Sequence, residues 1–419
     1  ARELAVPANS SKPVPVPNFP LRGRMDLSYG PQYETFRNEV RAFLDAHKDT
    51  APRDSGALGE GSSTVRGWQK ILVENGYTSR TVPRDYGGFG AKPDLLENII
   101  VDEEFRRAGV PRGMANQGIS MFVPTLLQYG NEDQKRRYIG PTIRGEMIWC
   151  QGYSEPGSGS DLASLKTSAV LDGDEFVVNG QKIWTSTARE SQMMFALIRT
   201  EPDAPKHEGI SYLLIDMKSP GITIRPLVMM TGQAGFNEVF FEDVRVPREN
   251  LFGKRGQGWE VGKATLIHER NMLGAADQTE TAYLGCVEVL REFGVLEHGV
   301  YRDRLMKLAA RTSAMKYHSM RMLTDRLKKR PHDAAALIMK LNGCQLNHDI
   351  AKLAIDAMAE TGTLKRGSRH VRAEGGWQIG YMFQLGLIIG GGTAQIQKNI
   401  ISEIGLGMPR EPKAAKAAK

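Results

Sequence analysis

Two short stretches carry the residue types that could do chemistry. The first is Gln151-Gly152-Tyr153-Ser154-Glu155-Pro156-Gly157-Ser158-Gly159-Ser160-Asp161. The second, Gly180-Gln181-Lys182-Ile183-Trp184-Thr185-Ser186, begins about twenty residues after it ends. Gly, Ser and Pro make the first a loop, with turn dihedrals, exposed amides and hydroxyls and little to bury. Such a loop can present several N–H and O–H donors to a phosphate or to a polar ring edge. The second reads as a strand ending in a flat apolar ring, Trp184, beside two hydroxyls. Together they suit a large aromatic cofactor with a phosphate tail. A surface loop before an ordinary hairpin is the other reading that composition alone allows.

These segments need a scaffold, and the rest of the chain supplies one. At 419 residues, with 41% hydrophobic and 25% charged residues, the sequence is that of an ordinary soluble globular protein of two or three domains. No run of about eighteen apolar residues appears, so no membrane span is expected. The net charge of +7 is concentrated at the ends, +3 in residues 1–24 and +3 in residues 410–419. The body is therefore near neutral, which argues against a nucleic-acid surface. Cys150, Cys286 and Cys344 are odd in number and far apart, with neither metal spacing nor a disulfide framework, as in a reducing cytosol. Cys150 reads as a packed residue without a sequence-local His partner.

Residues 1–30 read as an extended Pro-rich arm without the apolar core of a secretory signal. Residues 31–147 read as a helical domain: Phe36, Val40, Phe43 and Leu44 recur at helical spacing, as do Trp68, Ile71 and Leu72. Leu95 to Arg107 is expected to be a helix stopped by Gly109, and Asn131 or Asp133 to cap one starting at Glu132. From 148 to 258 short apolar runs alternate with turn signals, which predicts a β domain, with turns at Asp172-Gly173 and at Asn179-Gly180. From 259 to 408 helical period returns. A long helix running to Phe293, then 297–329, 331–360 and 388–404, makes a helical bundle. The basic stretch Arg302 to Arg330 reads as a solvated face over buried Leu305, Leu308, Met315 and Met322. Residues 409–419 form a basic tail.

The wording of the two stretches, SEPGSGSD and then NGQKIWTS, resembles the flavin-binding signature of the acyl-CoA dehydrogenase family, and both stand at the family's spacing. The resemblance runs from about Tyr33 to Gly407. It implies an α+β chain with an N-terminal helical domain, a middle β-barrel or sandwich and a C-terminal four-helix bundle. It implies FAD as cofactor, an acyl-CoA as substrate, an electron-transfer flavoprotein as acceptor, and α,β-dehydrogenation to a trans-2-enoyl-CoA. By position, Gln151, Tyr153 and Ser154 match residues edging the isoalloxazine, and Gly159 and Ser160 those at the pyrophosphate and ribityl chain. Trp184 and Ser186 match the ring-flanking pair, and Thr393 and Gln395 those reaching the ADP portion. Gly375 and Gly376 match a pair approaching a neighbouring subunit's flavin.

Many members place the catalytic base in a Tyr-Glu-Gly-Thr segment. Here Gly391 falls at that Glu, in Ile389-Gly390-Gly391-Gly392-Thr393. The isovaleryl-CoA and long-chain members carry a small residue there and take the base from a Leu-Glu-Arg context on the helix after the β domain. The corresponding run, Ile267-His268-Glu269-Arg270, makes Glu269 the expected base, with the Gly391 N–H still able to donate to the thioester oxygen. Arg372 stands where the family usually has Gln, and the segment from Gly376 to Gly392 is short. Such departures resemble bacterial, cytoplasmic members acting on bulky ring or sterol-side-chain thioesters. Those assemble as homodimers, homotetramers or hetero-oligomers. Two other readings share the fold: a flavin-holding subunit without its own base, and a flavin oxidase.

Overall fold

The computed structural model describes residues 29–52, 62–272, 274–330 and 333–410. Most of the proposed N-terminal arm and C-terminal tail lies outside these residues. Five helices come first: α1 (Pro31–His47), α2 (Ser63–Glu74), α3 (Leu95–Ala108), α4 (Val123–Tyr129) and α5 (Glu132–Ile143). Their boundaries follow local chemistry. Asp94 caps α3 by accepting from the Leu96 and Glu97 amides, and Gly109 closes it in the left-handed region. Asn131, not Asp133, caps α5, in a reciprocal box with Gln134. A π-helical turn, Gly118–Phe122, leads into α4.

Eight strands follow: β1 (Trp149–Gly152), β2 (Ser168–Asp172), β3 (Glu175–Ser186), β4 (Met193–Arg199), β5 (Ile210–Asp216), β6 (Ile222–Leu227), β7 (Phe236–Pro247) and β8 (Leu251–Phe252). They form one sheet in the order β6-β7-β3-β2-β4-β5-β8, with β1 parallel beside β4. β4 is buried on both faces. Met193, Phe195 and Leu197 pack toward the N-terminal helices with Phe122, Trp149 and Tyr212, while Met194, Ala196 and Ile198 pack inside the sheet with Phe176, Val239 and Val244. The first layer also receives Val261 from α6 (Gly258–Met272).

The remaining helices are α7 (Ala276–Glu292), α8 (Gly299–Leu327), α9 (Asp333–Ala357), α10 (Gly376–Ile389) and α11 (Ala394–Ile400). They bury Cys286, Leu290, Leu305, Leu346, Ile350 and Leu353 in a core of their own. The basic face of α8 is matched by acids on its neighbours: Arg304 with Asp356, Arg311 with Asp349 and Lys316 with Glu280.

Three expectations are corrected. Asn179-Gly180 is not a turn; β3 runs through it as a bulge, with Gly180 at φ 140° and no room for a Cβ against Thr167. The helix expected to reach Phe293 is two helices, because Gly274 turns at φ 72° and packs against Gly343 of α9 too closely for a side chain. The stretch 388–404 is likewise broken, by the turn Gly390-Gly391-Gly392 between α10 and α11. The Pro331 start of α9 lies outside the described residues.

Candidate active site

The two halves of the signature sit side by side. The Ile183 amide donates to the Ser154 carbonyl at 2.9 Å, and Lys182 Nζ reaches the Tyr153 carbonyl at 3.3 Å. Glu155-Pro156-Gly157-Ser158 closes on itself through paired backbone bonds between Glu155 and Ser158. Beneath this turn the Glu155 carboxylate accepts from the amides of Lys166 (2.6 Å) and Thr167 (2.9 Å) and from Lys182 Nζ (2.8 Å). Burial alone would raise the Glu155 carboxyl, but the Lys182 ammonium and those donors hold it below its ordinary value. Lys182 is fully buried and also donates to the Leu197 carbonyl at 2.7 Å. With its base so held, the loop turns Gly157, Gly159 and Ser160 outward; a Cβ at either glycine would meet nothing within 4 Å.

Trp184 shows how β3 serves this loop. Up to Lys182 the even-numbered residues Phe176, Val178 and Lys182 face inward. A second register shift between Lys182 and Thr185, with Trp184 at φ 60°, reverses the alternation. Thr185 becomes buried and Trp184 is left 58% exposed, its ring edge-on to Phe236. A positive φ at a bulky residue costs of order 1–3 kcal/mol and collects at ligand sites. Ser186 ends the strand, half-buried.

Other expected site residues fall into two groups. Gln151, on β1, points toward α6, where its Nε2 lies 3.4 Å from Glu269 Oε2. Tyr153 is on the same face, but its phenol is directed into the core, 3.3 Å from the Tyr212 hydroxyl, and burial raises it well above its ordinary pKa. Its carbonyl accepts from the buried Lys182, so Tyr153 is held inside the fold beneath the loop. The second group lies on the C-terminal bundle. Gly375, at φ 74°, precedes α10, and Gly376 is exposed at its start. Thr393 caps α11 by accepting from the Ile396 amide, and Gln395 is exposed in its first turn. Gly391 adopts φ 64°, and its carbonyl accepts from Gln397. The next carbonyl, of Gly392, accepts from Lys340 Nζ of α9 at 2.6 Å. Because Gly274, just after α6, packs on Met339 and Gly343, α9 supports both the end of α6 and the glycine turn. Arg372 pairs with Glu292 of α7.

Sequence reading missed the Glu155–Lys182 pair, although the inward alternation of Phe176 and Val178 already placed Lys182 where it needs an acid. Cys150 is fully buried and its thiol is pushed up to about 12, in keeping with a packing role. Among the described residues no group of His, Cys, Asp and Glu could hold a metal ion, and no helix is long and apolar enough to cross a membrane.

Sequence profiles of the acyl-CoA dehydrogenase N-terminal, middle and C-terminal domains match residues 30–146, 150–244 and 256–406. The chain belongs to the acyl-CoA dehydrogenase family, a flavoprotein family of oxidoreductases acting on CH–CH bonds. It is 37% identical over 390 residues to the acyl-CoA dehydrogenase IpdE1 of Mycobacterium tuberculosis, covering 91% of this chain and 99% of that protein. Among solved structures it is similar to the Tcur3481-Tcur3483 steroid ACAD, with a TM-score of 0.78 and 30% identity over 92% of this chain and 100% of the other. It is also similar to a chain of the ChsE4-ChsE5 complex from Mycobacterium tuberculosis, with a TM-score of 0.75 at 30% identity and the same coverage.

Proposed function

We propose that this chain removes the α and β hydrogens of an acyl-CoA thioester to leave the trans-2-enoyl-CoA, with Glu269 as the base and FAD as the cofactor. The observation that carries the assignment is the meeting of Glu269 with Gln151 of the signature strand, while Gly391 offers only its backbone. The residues fit a flavin. An outward Trp184 ring lies beside a loop with exposed Gly157, Gly159 and Ser160 and open space at both glycines, which suits a flat ring and a phosphate tail. Trp184 and Ser186 would flank the ring. Gln151, Tyr153 and Ser154 would edge it, and Gly159 and Ser160 would meet the phosphates. Thr393 and Gln395, with Gly375 and Gly376 from a neighbouring chain, would reach the ADP end.

When bound, flavin supplies the acceptor for the β hydride; the protein's own task is the α proton. Glu269 takes that proton while the Gly391 amide donates to the thioester oxygen, where enolate charge develops. One turn before Glu269 on α6, Thr265 is fully buried against Tyr212.

The substrate class we favour is a bulky, ring-bearing thioester of steroid type, supported by the similarity to the steroid ACAD. Electrons would pass to an electron-transfer flavoprotein. Exposed Ile389 at the end of α10 and exposed Ile404, Leu406 and Met408 beyond α11 suit packing against a second copy or a homologous chain. Free, buried cysteines suit the bacterial cytoplasm. The test is anaerobic bleaching of the purified, flavin-loaded protein by a panel of straight-chain, branched and ring-bearing acyl-CoAs. Bleaching by ring-bearing thioesters supports the reading. Absence of bleaching by every acyl-CoA with the chain alone points instead to a flavin-holding subunit. Oxygen consumption without another acceptor points to an oxidase.

A further inference from the structure

Gln151 belongs by position to the flavin signature, yet its amide meets another partner. Along β1 the side chains of Trp149, Gln151 and Tyr153 project to one face, the one on which Phe195 and Tyr212 pack. Along α6 the residues Val261, Thr265 and Glu269 recur every fourth position and form one stripe, of which Val261 and Thr265 are fully buried. Two residues of strand span about 6.6 Å and four residues of helix about 6.0 Å. Gln151 and Tyr153 are therefore spaced to meet Glu269 and Thr265 together.

Both meetings occur. Tyr153 joins Tyr212 at 3.3 Å, Tyr212 joins Thr265 at 3.2 Å, and Thr265 joins Thr125 of α4 at 3.2 Å. This hydroxyl chain fixes the rotation of α6 over the sheet. One turn further on, Gln151 Nε2 faces Glu269 Oε2 at 3.4 Å. The strand beneath is rigid, since β1 pairs with β4 with Gln151 opposite Phe195.

We propose that Gln151 is the positioning residue of Glu269, its amide holding one carboxylate oxygen so that the acid meets the α carbon in a single orientation. The proposal rests on Glu269 being the base. Catalytic hydrogen bonds of this length commonly tighten in the substrate complex. A Gln is suited to the task, because a cation there would hold the carboxylate ionised too strongly to accept a proton, and an apolar residue would offer this oxygen no donor.

The test uses the flavin-loaded holoenzyme and measures the limiting rate of anaerobic flavin reduction, per bound flavin, against pH. Gln151→Met preserves length and removes the donor. It is expected to slow reduction about 10- to 100-fold, the usual consequence of a misplaced catalytic group, with binding of a non-reducible acyl-CoA analogue changed less than about twofold. Gln151→Glu sets a second carboxylate against the first and is expected to raise the apparent pKa of the acidic limb by about one unit or more. The other titratable groups on the facing elements are Tyr153 and Tyr212, whose phenols burial raises, and His268 on the helix itself, which burial lowers; the charge placed by Gln151→Glu lies against Glu269. Gln151→Glu/Glu269→Gln lacks the base and is expected to reduce flavin no faster than Glu269→Gln, which shows that the new carboxylate does not replace Glu269. Wild-type rate and pH profile per bound flavin in both single variants, with Glu269→Gln inactive, overturn the positioning role and leave the base assignment standing. Loss of flavin from Gln151→Met with an unchanged rate per bound flavin also overturns it, and returns Gln151 to the ring edge. Wild-type reduction by Glu269→Gln overturns the base itself.

Discussion

Lys182 and Glu155 give the sharpest forecast about what holds the signature loop in shape. The Lys182 side chain is 0% exposed and that of Glu155 7%. Removing one member of such a pair costs about 3–5 kcal/mol, because the other is left charged in the interior. In Lys182→Met the Glu155 carboxylate still keeps the Lys166 and Thr167 amides, but the carbonyls of Tyr153 and Leu197 lose their donor. The lower end, about 3 kcal/mol, is therefore expected, which is about 4 °C in the unfolding temperature of a chain of this length unfolding as one unit. Glu155→Gln turns an N–H₂ toward donors and costs a similar amount. The double variant leaves no buried charge, so it is expected to fall short of the sum of the two single losses by about 2 kcal/mol or more. The assay is thermal unfolding of the flavin-free chains, with flavin retention measured alongside. Single effects under about 0.5 kcal/mol, or strict additivity, would refute the claim that this pair anchors the loop.

Two further outcomes follow from particular contacts. Glu104 accepts from Arg37, Arg41 and Arg107. Burial would raise its carboxyl, yet those guanidinium bonds pull it down to about 2 from an ordinary 4.5. Its stabilisation is therefore complete above pH 4.5 and is lost as pH falls toward 2. Glu104→Gln should unfold more easily at neutral pH by about 2–4 kcal/mol and show a flatter acid dependence between those values, read by denaturation at several pH values. Trp184→Ala removes a ring that is 58% exposed; the unfolding temperature of the flavin-free chain should move by less than about 2 °C, whereas flavin should dissociate at least about tenfold more readily. A large thermal loss with unchanged flavin retention would return Trp184 to a structural role.

The large-scale order of the chain was legible because period is a local property: helical spacing at 36–44, alternation through 168–186 and helical spacing again after 259. The family was legible in the wording of the two signature stretches. Where local signals failed, the cause lay elsewhere in the chain. Gly274 breaks a helical pattern because α9 packs against it. Asn179-Gly180 carries a turn signature, but its pairing with β7 continues through a bulge. Nothing local marks Trp184 as the point where β3 reverses its faces. The Gln151–Glu269 contact joins residues 118 positions apart, and only the docking of α6 on the sheet that carries β1 brings them together.

The central claim is that one carboxylate on α6 removes the α proton while a glycine occupies the site where relatives keep theirs. Rapid-mixing measurement of anaerobic flavin reduction by a bleaching acyl-CoA, in the wild type and in Glu269→Gln with equal flavin content, tests it most directly. A fall of about 10³-fold in the reduction rate, with analogue binding retained, is the expected result. Reduction within about tenfold of the wild type would contradict it.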